Sequence, residues 1–157
     1  MTPKLPVSVL VVVHTPALEV LLLERAVRPG YWQSVTGSLD RLDEPLEEAA
    51  IREVREETGI DVPRARLRRW NVTYTFEIDP VWRHRFAPGT THNTEHAFSV
   101  ELPGRCDVIL APGEHTASLW LPRQAAAAKC FSWSNRDAIR QLGECRGQAV
   151  ARFRVQA

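Results

Sequence analysis

The run from Pro6 to Val13, PVSVLVVV, is nearly all aliphatic and β-branched. A strand of this kind has almost no face to offer water, so it must be covered on both sides. A sheet with a layer on each face meets that demand, and the rest of the chain carries the segments to build it. After the turn His14-Thr15-Pro16-Ala17-Leu18, Glu19–Glu24 (EVLLLE) reads as a returning strand. Arg25–Tyr31, with Arg28-Pro29-Gly30 inside it, is a loop, and Trp32–Val35 a short strand leading to Gly37. Further strands are expected at Leu67–Ile78, Thr94–Leu102, Cys106–Leu110 and Ser118–Leu121. Between the first two lies a loop, Asp79–Asn93, that carries Arg83, His84 and Arg85.

Three helices are expected. The first begins near Glu44-Pro45, where proline's missing N–H costs nothing, with Asp43 as N-cap. Leu46, Ala50, Ile51 and Val54 form its apolar stripe, and Gly59 supplies the left-handed residue that closes it. Pro122 opens a weak alanine-rich helix. Ser134–Leu142 is a stronger one, capped by Ser134 and ended by Gly143. The tail from 144 to 157 shows no clear periodicity and stays unassigned. The expected class is α/β (α+β), a mixed β-sheet sandwiched between α-helices in one domain spanning 1–157.

Several function classes are disfavoured. Twenty basic against 19 acidic residues leave a net charge of +1, so no global field points to nucleic acid or an anionic membrane. Arg64, Arg66 and Arg68 alternate onto one side of an extended segment, as on a solvated face. Apolar runs are too short to span a bilayer, and the N-terminus lacks the features of a signal peptide. Cys106, Cys130 and Cys145 form no Cys-x-x-Cys pair, which suits free thiols in a cytoplasmic protein. His92-Asn-Thr-Glu-His96 imitates a zinc-protease motif, but its glutamate is misplaced and the segment reads as a strand.

The first helix breaks a local rule. Glu53, Glu56 and Glu57 crowd one face of its last turns. Like charges at these spacings cost about 0.2–0.5 kcal/mol per pair, and the negative end of the helix dipole adds to that. A divalent cation is the natural compensating partner. The alternative is a solvated face laced with ion pairs among Glu48, Arg52 and Glu56.

The residues around this helix decide between the two. Gly37, Glu44, Arg52-Glu53-Val54, Glu56-Glu57 and Gly59-Ile60 together resemble the Nudix box. One departure is visible: six residues, where the box has five, separate Gly37 from Glu44. Outside the box, the segments beginning at Lys4, Tyr31–Gly37, Arg83–Gly89, Asn93-Thr94-Glu95 and Ser132–Arg136 resemble one bacterial subfamily of the Nudix hydrolases. Its members act on 7,8-dihydroneopterin triphosphate in folate synthesis.

The resemblance implies the Nudix fold and a Mg²⁺-dependent hydrolase, with Mn²⁺ as a substitute, acting on a small pterin or nucleoside triphosphate. It implies Glu53, Glu57 and Glu114 as metal ligands. Glu56, Arg52 and Glu114 are the implied catalytic groups, with Arg52 orienting the glutamates or forming a surface ion pair to Glu48 or Glu56. Lys4, Arg25 and Arg83 would hold phosphates, since a guanidinium fork matches phosphate oxygens. Trp82 and Trp133 would offer stacking surface, while Thr36, Ser132 and Asn135 would read polar edges of the substrate. Two alternatives remain: a pyrophosphatase acting on dATP or oxidised nucleotides, and a Nudix domain that binds nucleotide without turnover.

Overall fold

The computed structural model describes residues 2–143 and 152–155. Its strands are β1 (Val7–His14), β2 (Glu19–Arg25), β3 (Trp32–Gln33), β4 (Val35–Ser38), β5 (Leu67–Glu77), β6 (His92–Glu101), β7 (His115–Pro122) and β8 (Arg152–Val155). The helices are α1 (Leu46–Thr58), α2 (Arg123–Lys129) and α3 (Trp133–Arg140). The sheet runs β3-β2-β1-β6-β5-β8, with β4 also pairing β1 and β7 also pairing β2. β1 lies parallel to β6, β5 parallel to β8, and the other pairs are antiparallel. This is the expected mixed sheet between helices.

The covering of β1 follows from its alternation. Val9, Val11 and Val13 pack with Phe98 against Ala49, Ala50 and Val54 of α1. Leu10 and Val12 face the other way, toward Ala126 and Ala127 of α2 and Ala138 and Ile139 of α3. Each of these aliphatic side chains larger than alanine contributes about 1.5–3 kcal/mol by leaving water. Gly59 closes α1 at φ 74°, its N–H donating to the Arg55 carbonyl, as its position in sequence indicated.

Four local expectations are corrected. Helix α1 begins at Leu46 with Pro45 at the cap position; Asp43 is exposed and pairs with Arg41 at 3.0 Å. Glu44 lies just outside the helix, and its carboxylate is bound by Arg52. Residues 106–110 form no strand: Ile109 N donates to the Thr58 carbonyl and the Trp120 indole to the Cys106 carbonyl, so single contacts replace a ladder. Helix α3 is capped by Ser132, whose Oγ accepts from Asn135 N; Ser134 lies inside the helix and bonds Glu95. Within the segment expected to be loop, Pro80–Arg85 is a 3₁₀ helix capped by Asp79.

Strand β7 extends well beyond Ser118–Leu121 because it pairs with β2 along the length from Glu19 to Arg25. In the tail, Arg152–Val155 adds β8 to the edge at β5; residues 144–151 and 156–157 lie outside the described residues. Among the described residues, no helix is long and apolar enough to cross a membrane.

Candidate functional site

The site lies where α1 leans on β4. Glu53 and Glu57, one helical turn apart, are both buried, while Glu56 is exposed. The Thr36 backbone N–H bonds the Glu57 carboxylate. A side chain at Gly37 would overlap the Glu53 carboxylate, so this position on β4 admits only glycine without displacing Glu53.

Arg52 organises these groups. Its Nε and Nη2 donate to the two oxygens of buried Glu44 at 2.9 and 3.0 Å, a bidentate pair. Its Nη1 donates to Glu53 Oε1 at 2.9 Å and to Glu56 Oε2 at 3.2 Å, and Nη2 reaches the Ser38 carbonyl at 3.2 Å. Arg52 is therefore more than a surface ion-pair residue: it ties the glycine-bearing strand, the loop and the helix together. Its hydrogen bond holds Glu44 below the usual carboxylate range.

Burial acts oppositely on the other carboxylates. It pushes Glu53 up to about 7, against the pull of Arg52. Glu57 rises well above its ordinary value, first through burial and then through the charges of Glu53 and Glu114. Glu114 comes from the loop before β7, which is fixed to the end of β2 by a hydrogen bond from Ala26 N to the Glu114 carbonyl.

Glu57, Glu114 and His115 each bring one ligand atom within 4.8 Å of the others. Glu57 Oε2 and His115 Nδ1 are buried with no hydrogen-bond partner among the described residues. Burial lowers the His115 pKa, keeping the ring neutral. The orphaned Glu57 oxygen costs free energy, and a hard divalent cation, which takes oxygen ligands, fits the Glu57 and Glu114 carboxylates. His115 escaped the sequence reading; its only signal there is its place directly after Glu114.

Facing the acidic floor is a cationic wall. Lys4 is held beside the loop after β5 by its N–H to the Arg85 carbonyl at 2.8 Å. Arg25, Arg28 and Arg85 stand at 5.0, 5.4 and 5.7 Å from the Trp82 ring centre, so the indole carries three guanidinium groups. Burial lowers the pKa of Lys4 and of Arg25, with the Arg85 charge next in both. Among the described residues none of Lys4, Arg25, Arg28 and Arg85 pairs with a carboxylate.

Arg83 sits differently from the expectation. It donates to Glu77 at 2.5 Å and to the Ile78 carbonyl at 2.9 Å, anchoring the turn, while Arg28 and Arg85, which the sequence did not single out, join the wall. Thr36 Oγ1 accepts weakly from Gln33 at 3.5 Å. Asn135 is buried with its amide spent on Ser34: it accepts from Ser34 N at 2.7 Å and donates to Ser34 Oγ at 2.9 Å. The Ser132 hydroxyl is the cap of α3, and Trp133 packs edge-on against Tyr74 at 5.8 Å.

On the opposite face of the sheet, Glu95 is buried with one hydrogen bond, from Ser134 Oγ at 3.1 Å, and burial lifts its pKa to about 7. Tyr74, which bonds Asp137, and Asn93 share that face. A carboxyl whose folded pKa exceeds its unfolded value of 4.5 binds its proton more tightly in the native state. Stability is therefore full below pH 4.5 and is lost as pH rises to about 7. The loss is roughly 3 kcal/mol. Glu53 and Glu57 add slopes of the same sign, so the measure is the difference between the wild type and Glu95→Gln. In metal-free urea titrations from pH 4 to pH 8, Glu95→Gln is expected to remove this part of the decline; parallel curves would contradict it.

Residues 4–142 match the description of the NUDIX domain. The chain is 46% identical to the dihydroneopterin triphosphate diphosphatase of Escherichia coli K12 over 142 residues, 88% of this chain and 93% of that protein. It is 36% identical to the Haemophilus influenzae protein of the same name, over 85% of each chain. The structure of the E. coli dihydroneopterin triphosphate pyrophosphohydrolase superimposes with a TM-score of 0.83 at 45% identity, covering 90% of this chain and 97% of that one.

Proposed function

The chain belongs to the NUDIX family, and from that premise we propose that it hydrolyses 7,8-dihydroneopterin triphosphate to dihydroneopterin monophosphate and pyrophosphate. The observation that carries this reading is the pairing of a buried carboxylate floor, Glu53 and Glu57 beside Glu114, with a wall of cations, Lys4, Arg25, Arg28 and Arg85, that form no ion pair among the described residues. A triphosphate is a polyanion that needs both. The cations hold the phosphate oxygens directly, and arginine does so through two parallel N–H bonds.

Glu53, Glu57 and Glu114 would hold a divalent cation, Mg²⁺ or Mn²⁺ in its place, which would supply Lewis-acid neutralisation of the phosphates. The remaining work belongs to the chain's own side chains. Arg52 fixes Glu53 and, through the same Nη1, the exposed Glu56. In this reading Glu56 orients the attacking water and Glu114 shares in accepting its proton. The new P–O bond forms as the bridge between α- and β-phosphates breaks, and its electron pair departs with pyrophosphate.

The purified protein with magnesium is expected to release pyrophosphate from dihydroneopterin triphosphate with a kcat/KM well above those for dATP and ATP. Rapid turnover of dATP with none of the pterin would overturn the substrate. No release from any triphosphate would leave a binding domain. Two variants test the site. Gly37→Ala is expected to displace the Glu53 carboxylate and lower kcat roughly 100-fold, since misplacement by about 1 Å costs that much, with little change in melting temperature. Arg85→Ala is expected to raise KM by about 10-fold, the effect of one lost charge-assisted contact; an unchanged KM would remove Arg85 from the phosphate wall.

A further inference from the structure

Strand β6 presents Asn93, Glu95 and Ala97 in turn to the face covered by α2 and α3. Ala97 meets the expected apolar core. Glu95 and Asn93 do not. Cross-strand pairing sets Ser8 of β1 and Tyr74 of β5 on either side of Glu95, and Phe76 beside Asn93. Ser134 descends onto the same patch from α3, and Trp133 packs on Tyr74. A polar floor with aromatic walls thus replaces core at this end of the sheet.

That floor is under-satisfied. Glu95 is 6% exposed, and no cation pairs with it among the described residues. Ser134 bonds only its Oε1. Asn93 donates to Ser8 Oγ at 2.8 Å, but its Oδ1 is buried without a partner among the described residues. A carboxylate has about four acceptor positions, and burying it with one filled is costly. A residue kept only for packing would be apolar here. The ionised Glu95 carboxylate and Asn93 Oδ1 offer acceptors alone, so the partner that fits them is a donor.

The substrate proposed above carries such donors. The 2-amino-4-oxo-pyrimidine edge of a pterin offers an amino N–H and a ring N–H side by side, the arrangement a carboxylate accepts bidentately. Ser8, the β1 neighbour of Glu95, lies four positions after Lys4 on the same run of chain. Phosphates at Lys4 and a ring edge at Glu95 would thus be held at the two ends of one short stretch.

We propose that Glu95, with Asn93 beside it, is the specificity residue that reads the paired N–H donors of the substrate's pterin ring. The inference rests on the pterin reading of the site. It extends that reading to a class: guanine shares the donor pair, whereas adenine presents a donor beside an acceptor. GTP should therefore be a better surrogate than ATP, and inorganic tripolyphosphate should be indifferent to Glu95.

The test is kcat/KM of the wild type and Glu95→Gln, with magnesium, on dihydroneopterin triphosphate, GTP, ATP and tripolyphosphate. Glutamine keeps the size and can still accept from Ser134, but it sets an N–H against an N–H. The expected result is a loss of roughly 100-fold on the pterin and GTP, with ATP and tripolyphosphate altered less than about threefold. Equal losses on all four substrates, or none, would overturn the assignment. Affinity for dihydroneopterin without phosphates, followed by tryptophan fluorescence, should fall in parallel; unchanged affinity counts against it. A wild type inert toward the pterin triphosphate would instead sink the proposed function, so the two failures are distinguishable.

Discussion

Glu57→Gln is expected to lower kcat on the order of 10³-fold while leaving the metal-free protein at least as stable as the wild type. The second half of the prediction gives it diagnostic force. Glu57 is buried, its Oε2 has no partner among the described residues, and burial together with Glu53 and Glu114 lifts its pKa well above the usual range. The native state therefore holds this proton more tightly than the unfolded chain, and stability falls as pH rises through the carboxylate range. Glutamine abolishes that loss and relieves like-charge repulsion worth about 0.2–0.5 kcal/mol per pair. It also retains an oxygen for the Thr36 N–H. Melting temperatures in chelator at pH 8 are the measurement. A marked drop would make Glu57 a structural residue, and unchanged turnover would remove it from the metal site.

Arg52→Gln should act in the opposite way, harming fold and turnover together. Its guanidinium forms the bidentate pair to Glu44, whose side chain is 5% exposed, and it also bonds Glu53, Glu56 and the Ser38 carbonyl. Removing the cation strands a buried carboxylate, which costs on the order of 3 kcal/mol. That corresponds to a fall in Tm of roughly 10 °C. A second substitution, Glu44→Gln, should recover part of the stability, because a buried amide needs no counter-charge. It should not recover kcat, because Glu53 stays unrestrained. A double-mutant cycle with Tm and kcat read on the same samples checks both. Full retention of Tm in the single variant would return Arg52 to the role of a surface ion pair.

The contrast between these two residues marks how far the sequence could be read. Both lie on one helix in one motif, and periodicity alone gave the helix, its Gly59 stop and the crowding of Glu53, Glu56 and Glu57. It also gave the β-branched strand that forces a layer on each face. Periods of two and 3.6 and a cap are local properties of the chain, so such features are legible before folding. Errors appeared where a local signal had a non-local competitor. Ser134 has the composition of a cap, but Glu95 claims its hydroxyl and Ser132 caps α3. Residues 106–110 have strand composition but pair with no strand among the described residues, and they bond instead to the end of α1 and to the Trp120 indole.

The sequence by itself determined the sandwich, the carboxylate helix and, through resemblance, the family. Tertiary structure decided which side chains remain free to act. Arg83 and Arg85 are two residues apart and chemically identical, yet the 3₁₀ turn gives Arg83 to Glu77 and leaves Arg85 to the wall at Trp82. Asn135 is spent on Ser34, while Asn93 keeps an acceptor open. His115 became visible only through what surrounds it, and so did the open acceptor of Glu95. The reason is physical: hydrogen-bond capacity belongs to the residue and can be read from its name, but whether it is already satisfied depends on partners brought from distant positions in the chain.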